Sequence, residues 1–167
     1  MTSGKIMLDV EKYTAAFIYL LSSMGKIEGK KKAYKLMYFL DFDFFEAYEK
    51  PFMGETYKAL PMGPAPCYFD VLASNLHEEK TIDIKAEKKA LTHDNDTIIY
   101  IPKKSKEYAF SKEEKKMMDR IVRVYGNQTG KQLEDLSHSQ APYKAVDIGD
   151  VIPYEYSFYR ETADLTD

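Results

Sequence analysis

The sequence predicts a mostly helical α+β fold that forms a single domain over residues 1–167, with a small β-sheet or hairpin and a winged-helix-like appearance. Apolar residues recur at helical spacing in the first third of the chain, and capping boxes open two further helices in the C-terminal half. Between them lie two segments with alternating or β-branched residues, which predicts paired strands. No linker, repeat or low-complexity tract separates these elements.

Two helices are predicted in the first third of the chain. The first covers about residues 8–24, because apolar side chains recur every three or four positions and Gly25 then provides a stop. The second covers about residues 31–48 and carries two adjacent apolar stripes, which together occupy roughly 240° of its circumference. Such a helix either lies at the centre of the core or presents aromatic side chains to a partner. Its second stripe consists of Tyr34, Tyr38, Phe42 and Phe45.

A rigid elbow follows the second helix. Pro51 ends that helix, residues 54–59 resemble a short strand, and three prolines and a glycine fall within residues 61–66. Proline fixes φ and removes a backbone donor, whereas glycine tolerates a left-handed backbone, so this segment is predicted to be a fixed, non-helical turn. No nucleophile or metal ligand is concentrated there. The elbow therefore indicates a recognition surface rather than a reaction centre.

The rest of the chain is predicted to form a series of short elements. The hairpin among them is the small β element of the predicted fold. In order, they are a helix over residues 67–77, a hairpin of strands 81–85 and 97–101 with its turn at 94–96, helices opened by capping boxes at 111–114 and 129–132, a turn at 141–143 and an aromatic segment over 151–159.

The composition is that of an ordinary globular protein. Hydrophobic residues make up 44% and charged residues 31% of the chain, and the formal net charge is −3. This acidic balance argues against nucleic acid as a partner. A single cysteine, Cys67, excludes an internal disulfide and is typical of the reducing cytoplasm. Because there is no apolar run that would span a bilayer and no signal peptide, we expect a cytoplasmic protein without a membrane partner.

No set of residues supports a reaction. The three histidines lie in unrelated sequence contexts, so none is paired with Cys67 as a base. Asp41, Asp43 and Glu46 do not share one helix face, and no histidine or cysteine pair has zinc spacing. The glycines are isolated from one another, which excludes a phosphate-binding glycine motif. We therefore expect a protein that is not an enzyme and has no catalytic residues, cofactor or metal.

Five short motifs follow one another in an order that resembles a known family. Lys35–Asp41 is similar to a K-L-x-Y-F-x-D helix, Gly54–Tyr57 to a G-x-x-Y strand and Met62–Pro64 to part of a Y-G-P-V elbow. Leu136–Pro142 is similar to an L-S-H-x-x-x-P segment, and residues 152–153 to an I-P pair before the C-terminal helix. In this order the motifs resemble the SocA-like antitoxin domain, also called the Panacea domain, which occurs in phage-associated proteins.

The resemblance implies an antitoxin of a bacterial or prophage toxin–antitoxin system. Such a protein neutralises its cognate toxin, encoded by a neighbouring gene, through direct protein–protein binding. One alternative is a protease adaptor that delivers the toxin for degradation, with residues 161–167 as a flexible docking peptide for the protease. Another is a DNA-binding regulator. A homo-oligomer is also compatible with the sequence.

Candidate partner contacts lie on the elbow and on the aromatic stripe of the second helix. Aromatic and methionine side chains that are carried on rigid elements make effective anchors in protein interfaces. The chain departs from the family pattern at Met62, where an aromatic residue is usual, and at residues 65–66, which bears on what docks there. For the aromatic residues of the second helix, a place in the core is the stronger alternative. The candidate contacts are Tyr57, Pro61, Met62, Gly63, Pro64, Tyr34, Tyr38 and Phe42.

Overall fold

The computed structural model of the protein describes residues 5–88 and 97–166. The predicted mostly helical α+β class is confirmed, while the predicted turn at 94–96 lies outside the described residues. The elements are, in chain order, α1 (Val10–Met24), β1 (Ile27–Glu28), α2 (Lys30–Tyr48), β2 (Tyr57–Leu60), β3 (Gly63–Pro66), α3 (Phe69–Glu78), β4 (Ile82–Glu87), β5 (Thr97–Pro102), α4 (Lys112–Tyr125), α5 (Gly130–His138), α6 (Ala141–Lys144) and a C-terminal 3₁₀ helix (Tyr154–Tyr159).

α2 lies at the centre of the fold. It packs against β3, α4, α5 and the 3₁₀ helix, so side chains on nearly every side of it are buried. The ring centroids of Phe39 and Tyr125 are 4.3 Å apart, and those of Phe42 and Tyr154 are 4.6 Å apart. The wide apolar surface of this helix therefore fills the core, as the stronger of the two alternatives proposes.

The first sheet is antiparallel and has the strand order β1–β5–β4. The predicted hairpin is confirmed as β4 and β5, which pair with Ile84 opposite Tyr100. β1 adds an edge by pairing Ile27 with Tyr100. This strand is absent from the sequence prediction because two residues are too few to show an alternation.

The predicted elbow is itself a β-hairpin. β2 and β3 pair antiparallel from Tyr57 opposite Pro66 to Leu60 opposite Gly63, which leaves Pro61 and Met62 as a two-residue turn. The segment is non-helical, as predicted, but it is not a turn throughout, because the last four of residues 61–66 form a strand.

The two prolines of β3 are compatible with a strand because both face its outer edge. Alternate residues of a strand direct their backbone polar groups to the same side. The N–H of Cys67 donates to the Thr56 carbonyl at 2.9 Å, which shows that the odd-numbered residues point towards β2. Pro64 and Pro66 point the other way, where a missing N–H breaks no bond of the ladder.

Residues 149–152 cover the opposite side of β2. The N–H of Ala59 donates to the Asp150 carbonyl at 2.9 Å, and the N–H of Ile152 donates to the Tyr57 carbonyl at 2.9 Å. β2 is thus paired on both sides, by β3 and by this extended segment. The hairpin is consequently a fixed part of the fold rather than a mobile loop.

A buried carboxylate of α2 holds the chain just before β2. Asp41 accepts the backbone N–H groups of Met53 at 2.6 Å, Gly54 at 3.2 Å and Glu55 at 3.3 Å. The hydroxyl of Tyr57 lies 2.7 Å from the same carboxylate. Because a buried carboxylate without donors is strongly unfavourable, these four donors fix the course of the chain between α2 and β2.

Glu55 anchors the same segment to three other elements. Its carboxylate accepts the Tyr13 hydroxyl of α1 at 2.8 Å and the Tyr68 backbone N–H, just before α3, at 3.0 Å. Its carbonyl accepts the hydroxyl of Tyr154 from the 3₁₀ helix. Burial raises the pKa of the Glu55 carboxyl.

Asp43 joins α2 to the C-terminal part of the chain. Its carboxylate lies 2.8 Å from Nη1 of Arg120 and 2.7 Å from Nη2 of Arg160, and it accepts the Tyr125 hydroxyl at 2.7 Å. Arg160 also contacts Glu46 at 2.8 Å. A buried ion pair is tolerated when several hydrogen bonds satisfy it in this way, because desolvation of both charges is costly.

Removal of the Asp41 carboxylate is expected to destabilise the protein strongly. Asp41→Ala leaves three backbone N–H groups and the Tyr57 hydroxyl without this acceptor, so the free energy of unfolding should fall by about 3 kcal/mol or more. Asp135→Ala is the matched control, because Asp135 is exposed and its one ion-pair partner among the described residues is Lys131, and it should change stability by less than about 0.5 kcal/mol. Chemical denaturation of both variants checks this, and equal losses would contradict the role given to Asp41.

Candidate functional site

An open apolar pocket lies beside the turn of the β2–β3 hairpin. We call it the hairpin-tip pocket, and its volume is about 480 Å³. One wall is formed by Leu60, Pro61, Met62, Gly63 and Ala65 of the hairpin. The other is formed by the first two turns of α2, with Tyr34 and the side chains of Lys30, Lys31 and Lys35. The exposed surface of these walls is almost entirely apolar, which indicates that the lysines contribute mainly their hydrocarbon stems.

Lys35 forms part of the pocket floor and holds the hairpin to α2. Its side chain is 1% exposed, and Nζ donates to the Pro64 carbonyl at 3.0 Å. Because Pro64 faces the outer edge of β3, its carbonyl points away from β2 and is available to this lysine. Burial lowers the pKa of the Lys35 ammonium to about 8, and Lys31 adds to the effect, whereas the negative charge of Glu134 opposes it.

Gly63 is required where the hairpin meets Lys35. Its φ of +105° lies in the region that favours glycine. A Cβ at this position would lie 2.6 Å from Cε of Lys35 and 3.0 Å from Oγ of Ser137. The absent side chain therefore lets the hairpin approach both α2 and α5 closely.

Acidic side chains next to the pocket partly balance its lysines. Nζ of Lys30 lies 3.5 Å from Asp70, and both side chains are about half exposed. Asp70 also accepts the Tyr34 hydroxyl at 2.8 Å. Lys31 makes a closer pair with Glu134 at 2.8 Å. The Lys30 pair is weak because it is long and solvated.

The turn of the hairpin exposes apolar side chains on a fixed backbone. Met62 is 62% exposed and Leu60 is 41% exposed. The Tyr143 hydroxyl of α6 donates to the Leu60 carbonyl at 2.7 Å, and the Tyr143 ring stacks on His138 with a centroid separation of 4.4 Å. The segment around His138 that resembles L-S-H-x-x-x-P thus supports the hairpin, because His138 packs on the tyrosine that binds Leu60.

The predicted contact residues separate into two groups. Tyr34, Pro61, Met62 and Gly63 line the hairpin-tip pocket. Pro64 is buried next to it and supplies the carbonyl that binds Lys35.

The other three predicted contacts belong to the core. Tyr38 and Phe42 are fully buried, and Tyr57 is 1% exposed. Their rings pack together, with centroid separations of 4.5 Å between Tyr38 and Phe42 and 5.7 Å between Phe42 and Tyr57. The prediction of these three as partner contacts is corrected accordingly, because no part of their rings reaches a surface.

Sequence reasoning missed several residues of the pocket. A charged residue such as Lys35 gives no sign in the sequence that its side chain lies inside the protein, where it is 1% exposed. Leu60 was not selected, although its alternation with Ala59 along β2 puts the two side chains on opposite faces. The contributions of Lys30 and Lys31 depend on tertiary packing and have no signal in the sequence.

The described residues contain little that suggests catalysis. Cys67 is exposed, and partial desolvation of its thiol raises the pKa, which disfavours the nucleophilic thiolate. Among residues 5–88 and 97–166, no group of three or more histidine, cysteine, aspartate or glutamate side chains is placed to hold a metal ion. In the same part of the chain, no helix has the length and apolar character needed to cross a membrane.

Comparison with known proteins places the chain in a family. Residues 34–144 match the family described as antitoxin SocA-like, Panacea domain, and the match covers most of the chain. The chain belongs to the SocA-like antitoxin family. No curated protein and no solved structure matches it significantly. The matched part of this Panacea domain includes Lys35, Asp41 and the whole β2–β3 hairpin, so the family motifs fall on the residues that attach the hairpin to α2.

A methyl group at Gly63 is expected to destabilise the Panacea domain by displacing Lys35. Gly149→Ala is the matched control, because Gly149 also has a positive φ, +96°, but nothing lies within 4 Å of an added Cβ. Both substitutions introduce backbone strain, and only Gly63→Ala adds a steric overlap. We expect Gly63→Ala to lower the free energy of unfolding by at least about 1 kcal/mol more than Gly149→Ala does. Equal losses in urea denaturation would show that the contact with Lys35 is unimportant.

The buried Lys35 also predicts a specific pH dependence. Its pKa is about 8 in the folded protein and 10.5 when unperturbed, so between these values the unfolded chain holds a proton that the folded protein has lost. The free energy of unfolding of the wild type, relative to that of Lys35→Met, should therefore rise with pH above about 8. Its slope should approach about 1.4 kcal/mol per pH unit. Denaturation of the wild type and Lys35→Met as a function of pH measures this difference. If the difference in unfolding free energy between the two proteins stays constant from pH 8 to 10.5, the pKa of Lys35 in the folded protein lies near 10.5.

Proposed function

We propose that this protein is an antitoxin that neutralises a toxin protein, encoded by a neighbouring gene, by binding it directly in the cytoplasm. The description of its family as antitoxin supports the general role. The proposal assigns no chemical step to the protein. Neutralisation by binding requires only a surface that a partner recognises, and the hairpin-tip pocket is the best candidate for that surface.

The observation that carries the proposal is the exposure of apolar side chains on a rigid hairpin. Met62 and Leu60 project from a turn that is held by Lys35 through Pro64 and by Tyr143 through Leu60. Binding energy in protein interfaces is concentrated in a few such side chains that fill pockets or accept a partner's anchor. Because the backbone is already ordered, little conformational entropy is lost when a partner binds.

Stable binding is preferred to delivery to a protease because the C-terminal segment is held against the rest of the protein. The backbone N–H of Thr162 donates to Glu46 at 2.7 Å. Nε of Arg120 donates to the Asp164 carbonyl at 2.8 Å. The expectation that residues 161–167 form a free docking peptide finds no support in these contacts, which tie residues on both sides of Ala163 to α2 and α4.

Co-expression with the adjacent reading frame of the source genome tests the proposal. If the neighbouring product inhibits growth, the antitoxin should restore growth and purify with the toxin as a complex of fixed stoichiometry. Rescue accompanied by loss of the toxin, dependent on a cellular protease, would replace stable binding with the adaptor mode. A neighbour that is harmless and does not bind would contradict the proposed function.

A charge at the tip of the hairpin is expected to abolish neutralisation without unfolding the protein. Met62→Asp places a carboxylate where an apolar anchor is needed, and toxin binding should weaken at least about tenfold. Met7→Asp is the matched control, because Met7 is 79% exposed and lies outside the pocket. Growth rescue and calorimetric titration of the toxin measure the effect. Full neutralisation by Met62→Asp, at wild-type melting temperature, would remove the hairpin tip from the interface.

A further inference from the structure

We propose that the hairpin-tip pocket binds a peptide segment of the toxin in which a large apolar side chain stands next to a carboxylate. The apolar side chain fills the pocket, and the carboxylate binds the half-exposed Lys30 that lines it. This inference rests on the proposed function, because it identifies the chemistry of the partner that the same surface recognises.

The shape and lining of the pocket determine the apolar part of the ligand. Its volume of about 480 Å³ falls within the range of about 300–1,000 Å³ that is typical of pockets enclosing a ligand. The walls, which include Leu60, Met62 and Tyr34, expose carbon atoms almost exclusively. An inserted polar group would lose its hydration without gaining hydrogen bonds, whereas an apolar group gains from burial.

The charges around the pocket determine the polar part of the ligand. Of the residues that the structure describes, three lysines line it and no acidic residue does. The ammonium of Lys35 is bound to a neutral carbonyl instead of a carboxylate, so its charge is not cancelled by a direct ion pair among the described residues. In a weakly polar environment such a charge acts over a longer distance than at a solvated surface. A negative group near the mouth of the pocket is therefore stabilised.

Lys30 is the residue best placed to contact that negative group. Its present partner, Asp70, lies 3.5 Å away, and both side chains are about half exposed, so little is lost when the lysine turns to a ligand. Lys31 is less available because its pair with Glu134 is shorter and more buried. A basic group in the same position would be repelled by all three lysines. The pocket therefore discriminates against basic segments as well as binding acidic ones.

The occupancy of the pocket by this type of segment is tested first without the toxin. Short random peptides displayed on bacteria are selected for binding to the full-length wild-type protein. Peptides that also bind the Met62→Asp variant are then removed. Enrichment of sequences that place Asp or Glu beside a large apolar residue supports the proposal. Enrichment of basic or purely apolar sequences, or no enrichment, overturns it. A wild-type dimer in light scattering that Met62→Asp converts to a monomer also overturns it, because a second copy of the chain would then fill the pocket.

The contact with Lys30 is tested in the toxin complex by reversal of charge. Lys30→Glu should weaken toxin binding at least about tenfold, whereas Lys116→Glu, an equal change of charge at an exposed position on α4, should leave it unchanged. A toxin variant with one Asp or Glu replaced by Lys should then restore binding to Lys30→Glu.

The two proposals fail in different ways. If the wild type neutralises and binds the toxin but Lys30→Glu and Met62→Asp bind it equally well, the assignment of the pocket is overturned and the antitoxin function stands. If the wild type neither neutralises nor binds the toxin, the proposed function itself fails. Circular dichroism of each variant, compared with the wild type, establishes that a loss of binding does not result from unfolding.

Discussion

The attachment of the β2–β3 hairpin to α2 is the constraint on which the rest of this structure depends. Two ionisable residues of the same helix make it. Asp41 binds three successive backbone N–H groups before β2, and Lys35, about two turns earlier, binds a carbonyl of β3. Burial of two charged groups is unfavourable in itself, so it is tolerated only because each is satisfied by backbone that must then follow one path.

This attachment connects the core to the candidate interface. The aromatic side chains of α2 fill the centre of the fold, and the ends of the hairpin lie against them through Tyr57. The turn at the far end leaves Met62 exposed beside an apolar pocket. A surface supported in this way keeps its shape before a partner arrives, which favours tight and specific binding.

The elements that the sequence predicted correctly are those with strong local signals. The capping boxes at Ser111 and Thr129 both form and begin α4 and α5, because a side chain three residues away satisfies the free N–H groups. Period-two alternation identified β4, and a run of β-branched and aromatic residues identified β5. The elbow was recognised as rigid but not as a strand, since prolines in a strand are acceptable only at an edge, and sequence alone does not show which strand is at an edge.

The sequence by itself determined the helices α1 to α5, the larger hairpin, the family motifs and the presence of a fixed proline-rich segment after α2, whereas the predicted turn at 141–143 is the short helix α6. Only the tertiary structure decided which aromatic residues are buried. Apolar residues occupy most of the circumference of α2, so its periodicity does not distinguish a side that faces the core from one that faces solvent. That choice depends on contacts with Tyr125, Tyr154 and β3, which are distant in the chain. The same long-range packing buries Lys35 and leaves Met62 at the surface.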